Sequence, residues 1–282
     1  MNQNILHKTT LFFALLVAMT FNLAAHNGVK VSVKMYLKGA LEPNGLMRDD
    51  LRAKGLLPTT EPYSNLPNFQ HYGDGGGETI NGPAVFQVTG SNAIVDWVVV
   101  ELRSENSIIT PLATHAALLQ RDGDVVAMDG TSPVLFLVPN GQYYVVVRHR
   151  NHLGAMTATP KNLSNQPFLV DFTNPDLQLY GTNSCYYNGT VRSLWLGNTN
   201  TDKHVIFQGA NNDRDLIFFK VLTAPGNLSP SINYIVEGYW NTDVNLDGNT
   251  INVGPNNDSN LILIQMIINS QVGIVNLTEQ IP

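Results

Sequence analysis

The sequence predicts a mainly β chain: an antiparallel β-sandwich, then a small domain of two tandem oxygen-rich loops, each leading into a short helix. Three observations carry this. Alternating apolar and polar runs recur between positions 29 and 150, with turn residues between them. The C-terminal third repeats itself at a constant offset of 45 residues, Asn198 falling on Asp243. In both copies the loop residues are Asp and Asn, and an apolar run follows.

With 282 residues, two domains and a sizeable core are expected. The charged fraction is 13% and the net charge −6, with no basic patch, which excludes nucleic acid as a partner. An apolar content of 43% excludes a disordered chain. Residues 1–25 read as a secretory signal peptide: Lys8, an apolar run from Leu11 to Met19, then Ala24 and Ala25 at the cut. Leu23 breaks the small-x-small rule, so an uncleaved anchor is the alternative. No other stretch approaches the ~18 apolar residues of a spanning helix. The expected address is secreted or cell-surface, with no membrane span after cleavage. Cys185 is the only cysteine, which excludes an internal disulfide and points to a buried apolar role. A bound metal is then a natural substitute stabiliser.

The sandwich is expected over residues 26–181. From Val29 to Lys38, Val29, Val31, Val33, Met35 and Leu37 share one face and three lysines the other, a half-buried strand. Leu46 to Lys54 suits a short helix stopped by Gly55. Asp74-Gly75-Gly76-Gly77-Glu78 reads as a flexible turn, since it lacks the lysine and strand–helix context of a phosphate loop. Ala93 to Leu102 is a strand. Ala116–Gln120 and Val125–Met128 flank a turn at residues 121–124, and Pro133–Val138 and Gln142–Arg150 flank Pro139-Asn140-Gly141; both pairs read as hairpins. His149 and His152, three apart on a strand, fall on opposite faces and read as a polar cluster at the sheet end. No Gly-x-Ser-x-Gly or His-Glu-x-x-His occurs. Glycosidase carboxylates leave no spacing signature, so a hydrolase stays open. The run from Asp129 to Val147, a strand, a Pro-x-Gly turn and Tyr-x-Val-x-Val, resembles transthyretin-like or Ig-like adhesin repeats and implies that type of sandwich.

The second domain is expected over 182–282, with units at about 191–225 and 236–270. The offset carries Trp195 onto Trp240, Gly209 onto Gly254, and Asn211-Asn212-Asp213 onto Asn256-Asn257-Asp258. Asp243, Asn245 and Asp247 offer oxygens at places one, three and five, and Gly248 permits the bend at six. Ca²⁺ is a hard cation that wants such oxygens, and the Asn249 carbonyl stands at place seven. The twelfth place is Gly254, so a four-residue insertion moves the closing carboxylate to Asp258. The first unit offers Asn198, Asn200 and Asp202, closed by Asp213 with Asp215 nearby, but has Lys203 at the bend. Trp195 and Trp240 are expected to pack between the units.

A duplicated Asp-x-Asn-x-Asp-Gly followed by apolar helices resembles a dockerin. Asn211 to Ile217, the ending Asn276 to Pro282, the strand around Trp97, and Arg148 to Gly154 resemble a family of secreted bacterial proteins labelled hemagglutinin-like or hypothetical. The resemblance implies a secreted, non-catalytic protein with a dockerin-like end. The function expected is a calcium-binding extracellular or cell-surface module that binds or assembles with a protein partner. The alternatives are a carbohydrate-binding adhesin that grips a cell-surface glycan, with structural calcium, and an extracellular polysaccharide hydrolase.

Overall fold

The computed structural model describes residues 28–269 and 276–282, and the predicted signal peptide lies outside the described residues. Strand exceeds helix, 30% against 14%, so the chain is mainly β, built on antiparallel sheets.

β1 (Val29–Lys34) alternates as its sequence requires, with Val29, Val31 and Val33 buried. α1 (Asp50–Ala53) is shorter than the predicted helix. Met47 is drawn into a bridge with Leu41, and its N–H donates to the Arg121 carbonyl, so the chain cannot coil before Asp50. Gly55 stops the helix at φ +67°.

β2 (Ile94–Ser104) and β3 (Ala113–Gln120) form the longest ladder, with a bulge between Ile94 and Asp96. β4 (Asp124–Val126) returns from β3 across the predicted turn. Gly123 is needed there: its φ is +94°, and a Cβ would meet the Met35 carbonyl at 2.9 Å. The second predicted hairpin does not form. β5 (Val134–Phe136) pairs with β1, whereas β6 (Gly141–Arg148) pairs with β2. The Pro139–Gly141 segment is a corner between distant strands, held by the Tyr143 hydroxyl donating to the Pro139 carbonyl at 2.7 Å. β6 gains more burial at the centre than beside β5, since Val145, Val146 and Val147 are all fully enclosed there.

β7 (Ala155–Met156) and β8 (Lys161–Leu163) both pair with β6, and β9 (Phe168–Asp171) runs parallel to β1. Hydrogen bonding links these nine strands into one sheet. Just past β8 the Lys30 N–H donates to the Ser164 carbonyl at 2.8 Å, so the two ends of the sheet meet around the main core. β2 is buried on both sides. Outside the sheet, α1 packs on it, and the Tyr63 hydroxyl donates to the Trp97 carbonyl at 2.8 Å.

The rest of the chain is a second, smaller core. β10 (Tyr186–Tyr187) and β11 (Arg192–Ser193) form a hairpin between the two cores. β12 (His204–Ile206), α2 (Asp213–Leu222), β13 (Ile235–Glu237), β14 (Asn249–Ile251), α3 (Asp258–Asn269) and β15 (Asn276–Thr278) follow. β12 pairs with β15 and β13 with β14. Ile217 and Val221 on α2, and Ile262 and Met266 on α3, are four apart on each helix and buried. The tryptophans do not meet as expected. Trp195 is enclosed against Tyr186, while Trp240 is 40% exposed under the Lys220 ammonium. Trp195 leads into the first loop between two cores, whereas Trp240 follows a hairpin strand at the surface. Cys185 is buried as expected, and burial pushes its thiol up to about 12. No helix among the described residues is long and apolar enough to cross a membrane.

Candidate metal centre

The 45-residue offset holds for the hydrogen bonds as well as the letters. In the second unit the Asp258 carboxylate accepts from the Val244 and Ile251 N–H groups, both at 2.8 Å. In the first, Asp213 accepts from Thr199 and Ile206 at 2.7 and 2.8 Å. Asp247 N–H donates to Asn245 Oδ1 at 3.1 Å, as Asp202 N–H does to Asn200 Oδ1 at 3.1 Å. Asn249 N–H donates to Asp247 Oδ1 at 2.9 Å, matched by His204 and Asp202 at 2.9 Å. The left-handed backbone positions also repeat: Thr201 and Leu246 at +60°, Asn211 and Asn256 at +56°, Gly209 and Gly254 at +117° and +123°. Lys203 takes the bend conformation of Gly248, +72° against +83°, at a cost of about 1–2 kcal/mol for a residue with a Cβ.

Each loop is thus a bend whose oxygens are held by its own backbone and whose last carboxylate is the first residue of a helix. That placement also suits the helix, because an acid at the N-terminus meets the positive end of its dipole. Asp243 accepts from Asp247 N–H at 3.1 Å and Gly248 N–H at 2.8 Å. Asp215 departs from its predicted part. It is the third helical residue, its N–H donates to Asn212 Oδ1, and its carboxylate accepts from Asn212 Nδ2 at 2.8 Å, on the exposed side. This is capping geometry, which turns it away from the loop. Asn249 spends its side-chain amide on Asp247 Oδ1 at 3.1 Å.

The electrostatics are unfavourable for bare carboxylates. Burial, partly offset by Arg150 and reinforced by Asp247, pushes Asp243 up to about 7. Burial and then Asp243 push Asp258 well above the usual range. Burial takes Asp213 to about 7. In the first loop Asn198 is buried and its Oδ1 has no hydrogen-bond partner. An oxygen-only donor set, buried negative charge and an orphaned amide oxygen fit a hard divalent cation. The acids of the second loop are spread more widely than Glu61, His71 and Glu78, whose ligand atoms lie within 4.8 Å of one another. A cation in that loop would rely on amide and main-chain oxygens as well as carboxylates.

The second loop is seated on the large sheet. Arg48 Nη2 donates to the Asn245 carbonyl at 2.6 Å. Asn151 Nδ2 donates to the Asn241 and Asp243 carbonyls at 3.0 and 2.7 Å, and Arg150 Nη1 to the Trp240 carbonyl at 2.5 Å. Gly39 passes so close that a Cβ would fall 2.0 Å from the Val244 carbonyl oxygen. The anchor beneath is Asp96, fully buried beside the β2 bulge, which accepts from Arg150 Nε at 3.0 Å and the Tyr239 hydroxyl at 2.5 Å. Burial opposes its charge, but Arg150 and His149 outweigh that and hold it below the ordinary value.

His149 and His152 were expected on opposite faces, but β6 ends at Arg148 and the turn brings their Nδ1 atoms to 3.1 Å. Gly39 N–H donates to His152 Nε2 at 3.2 Å, so the His152 proton sits on Nδ1, 2.8 Å from Asn151 Oδ1 and 3.1 Å from His149 Nδ1. His149 Nε2–H then points to Asp96 at 3.1 Å. Burial lowers both imidazoles, which keeps them neutral. The sequence pointed to a polar cluster at the sheet end through His149 and His152, but not to its link with Asp96, whose signal was a lone aspartate in an apolar strand. No protein-family model, curated protein or solved structure matches the chain.

Proposed function

We propose that the chain is an exported, non-catalytic module in which calcium in the tandem loops orders a helical surface for docking to a protein partner outside the cell. The observation that supports this most is the reuse of one hydrogen-bond scheme in both units, ending each time on the first residue of a helix. An ion in such a loop sets the position of its helix directly. Extracellular modules work with weak calcium sites, so an imperfect ligand set is adequate there. Leu216 and Phe219 on α2, and Ile264 and Ile267 on α3, are exposed and three apart, so each helix carries an exposed apolar pair. The resemblance of the sequence to dockerins and to secreted hemagglutinin-like proteins agrees with this reading. Export rests on residues 1–25 alone.

A capture experiment tests the docking claim. The purified chain, presented to a surface-protein extract of its source cells, is expected to retain one partner in calcium and release it in EGTA. Ile264→Glu should abolish retention with little change in fold, because Ile264 is 50% exposed. Retention that survives both treatments would contradict the proposal.

A second reading, a glycan-binding adhesin, has one observation in its favour. A cleft of about 430 Å³ is lined by Phe69, Tyr72, Gln70, Asn68, Arg103 and Arg148, a mix of aromatic faces and hydrogen-bonding groups suited to a sugar.

A further inference from the structure

The geometry points to a second metal site, distinct from the loops: a first-row divalent ion of the zinc class, held by His71 Nε2 and the carboxylates of Glu61 and Glu78. Their ligand atoms all lie within 4.8 Å of one another. His71 Nε2 and Glu61 Oε2 are 3.5 Å apart, close to the roughly 3.4 Å edge of a tetrahedron with 2.0–2.1 Å bonds. That nitrogen is cut off from solvent and makes no hydrogen bond.

The backbone gathers the three ligands. Glu61 N–H donates to the Glu78 carbonyl at 2.9 Å, and Ile80 N–H to the Thr59 carbonyl at 3.0 Å, so the two glutamates lie across one short bridge. His71 is delivered by the next residue: the Thr114 N–H donates to the Tyr72 carbonyl at 3.0 Å, and the Tyr72 N–H donates at 2.9 Å to the Thr114 hydroxyl, which also lies 3.2 Å from His71 Nδ1. With the Thr114 hydroxyl turned to the Tyr72 carbonyl, 3.4 Å away, Nδ1 carries the imidazole proton and Nε2 presents its lone pair, the tautomer a metal would take. The expected turn at residues 74–78 is seated against β3. A Cβ on Gly75 would fall 1.8 Å from the Thr114 carbonyl oxygen, and Gly76 and Gly77 take φ of +101° and +78°.

Both carboxylates are positioned by backbone donors: Glu61 accepts from the Tyr63 N–H at 2.6 Å and the Gly77 N–H at 3.0 Å, and Glu78 from the Gly76 and Ala116 N–H groups at 3.1 Å. His115 Nδ1 lies 3.1 Å from Glu78 Oε1 and orients it. One imidazole with two carboxylates selects zinc-like ions over calcium, which avoids nitrogen ligands. Three protein ligands leave a fourth place for water.

The test uses the untagged chain stripped with a chelator. Titration with Zn²⁺ against a chromophoric competitor is expected to show one equivalent bound. His71→Gln should weaken it by at least about 100-fold, and Thr114→Val, which frees the ring, by about 10–100-fold. His204→Gln should have no effect, since its ring pairs with Thr278 and is not one of the three ligands. Wild-type binding that His71→Gln leaves intact overturns the proposal. Should His71→Gln fail to fold, a Co²⁺ spectrum of the wild type decides: visible bands of a four- or five-coordinate ion support the site, and their absence overturns it.

Discussion

Asp258→Ala is expected to destabilise the C-terminal half by about 4 kcal/mol, the order of two buried N–H groups left without an acceptor. The carboxylate is fully buried, and each oxygen accepts one backbone N–H, from Val244 and from Ile251. Without it the loop, β14 and α3 lose their common fastening. Asp258→Asn separates this structural part from any cation part. It retains one acceptor and removes a negative charge that burial and Asp243 both disfavour. That variant should stay folded without calcium and show no rise in Tm when calcium is added. Denaturant unfolding followed by Trp fluorescence gives the first number and thermal unfolding the second. An alanine variant within about 1 kcal/mol of wild type would show that the fastening is not real.

Asp96→Ala should cost about 3–5 kcal/mol, because it leaves the Arg150 guanidinium buried and unpaired. Both side chains are fully enclosed, and the Tyr239 hydroxyl loses its acceptor as well. The effect should reach the second loop, since Arg150 also holds the Trp240 carbonyl. Hydrogen exchange in residues 240–250 is expected to speed up with it. Replacing both partners, Asp96→Leu with Arg150→Met, should recover much of the loss, as apolar groups of similar volume often do. The pH dependence follows from the direction of the shift. With the folded value of Asp96 below 3.8, the ion pair contributes fully above the ordinary aspartate range and is lost only as the pH falls below it. A double variant no more stable than Asp96→Ala would contradict this account of the network.

The strands and the tandem loops were legible because their signals are local and periodic. The valines of β1 alternate, and the repeat at an offset of 45 marks two bends and two helices, though not the short strands β12 and β14 between them. Pairing was less legible. Pro139-Asn140-Gly141 has hairpin chemistry, yet β5 and β6 find different partners, because burial across the whole sheet outweighs one turn. Asp215 looked like a ligand by spacing and is a cap by geometry, since one residue type serves both ends. Nothing in the sequence joined Asp96 to Arg150, or Glu61 to His71 and Glu78. These contacts arise only when a bulge, a glycine loop and a strand end meet in space.

The most direct test of the tandem-loop account is a calorimetric titration of calcium into the chelator-treated chain, at pH 7.5 and at pH 5, with Asp247→Ala beside it. The account predicts saturable heat at pH 7.5 and a weaker response at pH 5, where Asp243 and Asp213, both pushed up to about 7, hold protons that the ion must displace. It also predicts that Asp247→Ala loses the second-loop part of the signal. An isotherm that this variant leaves unchanged, or a wild type that takes up no calcium at either pH, would contradict it.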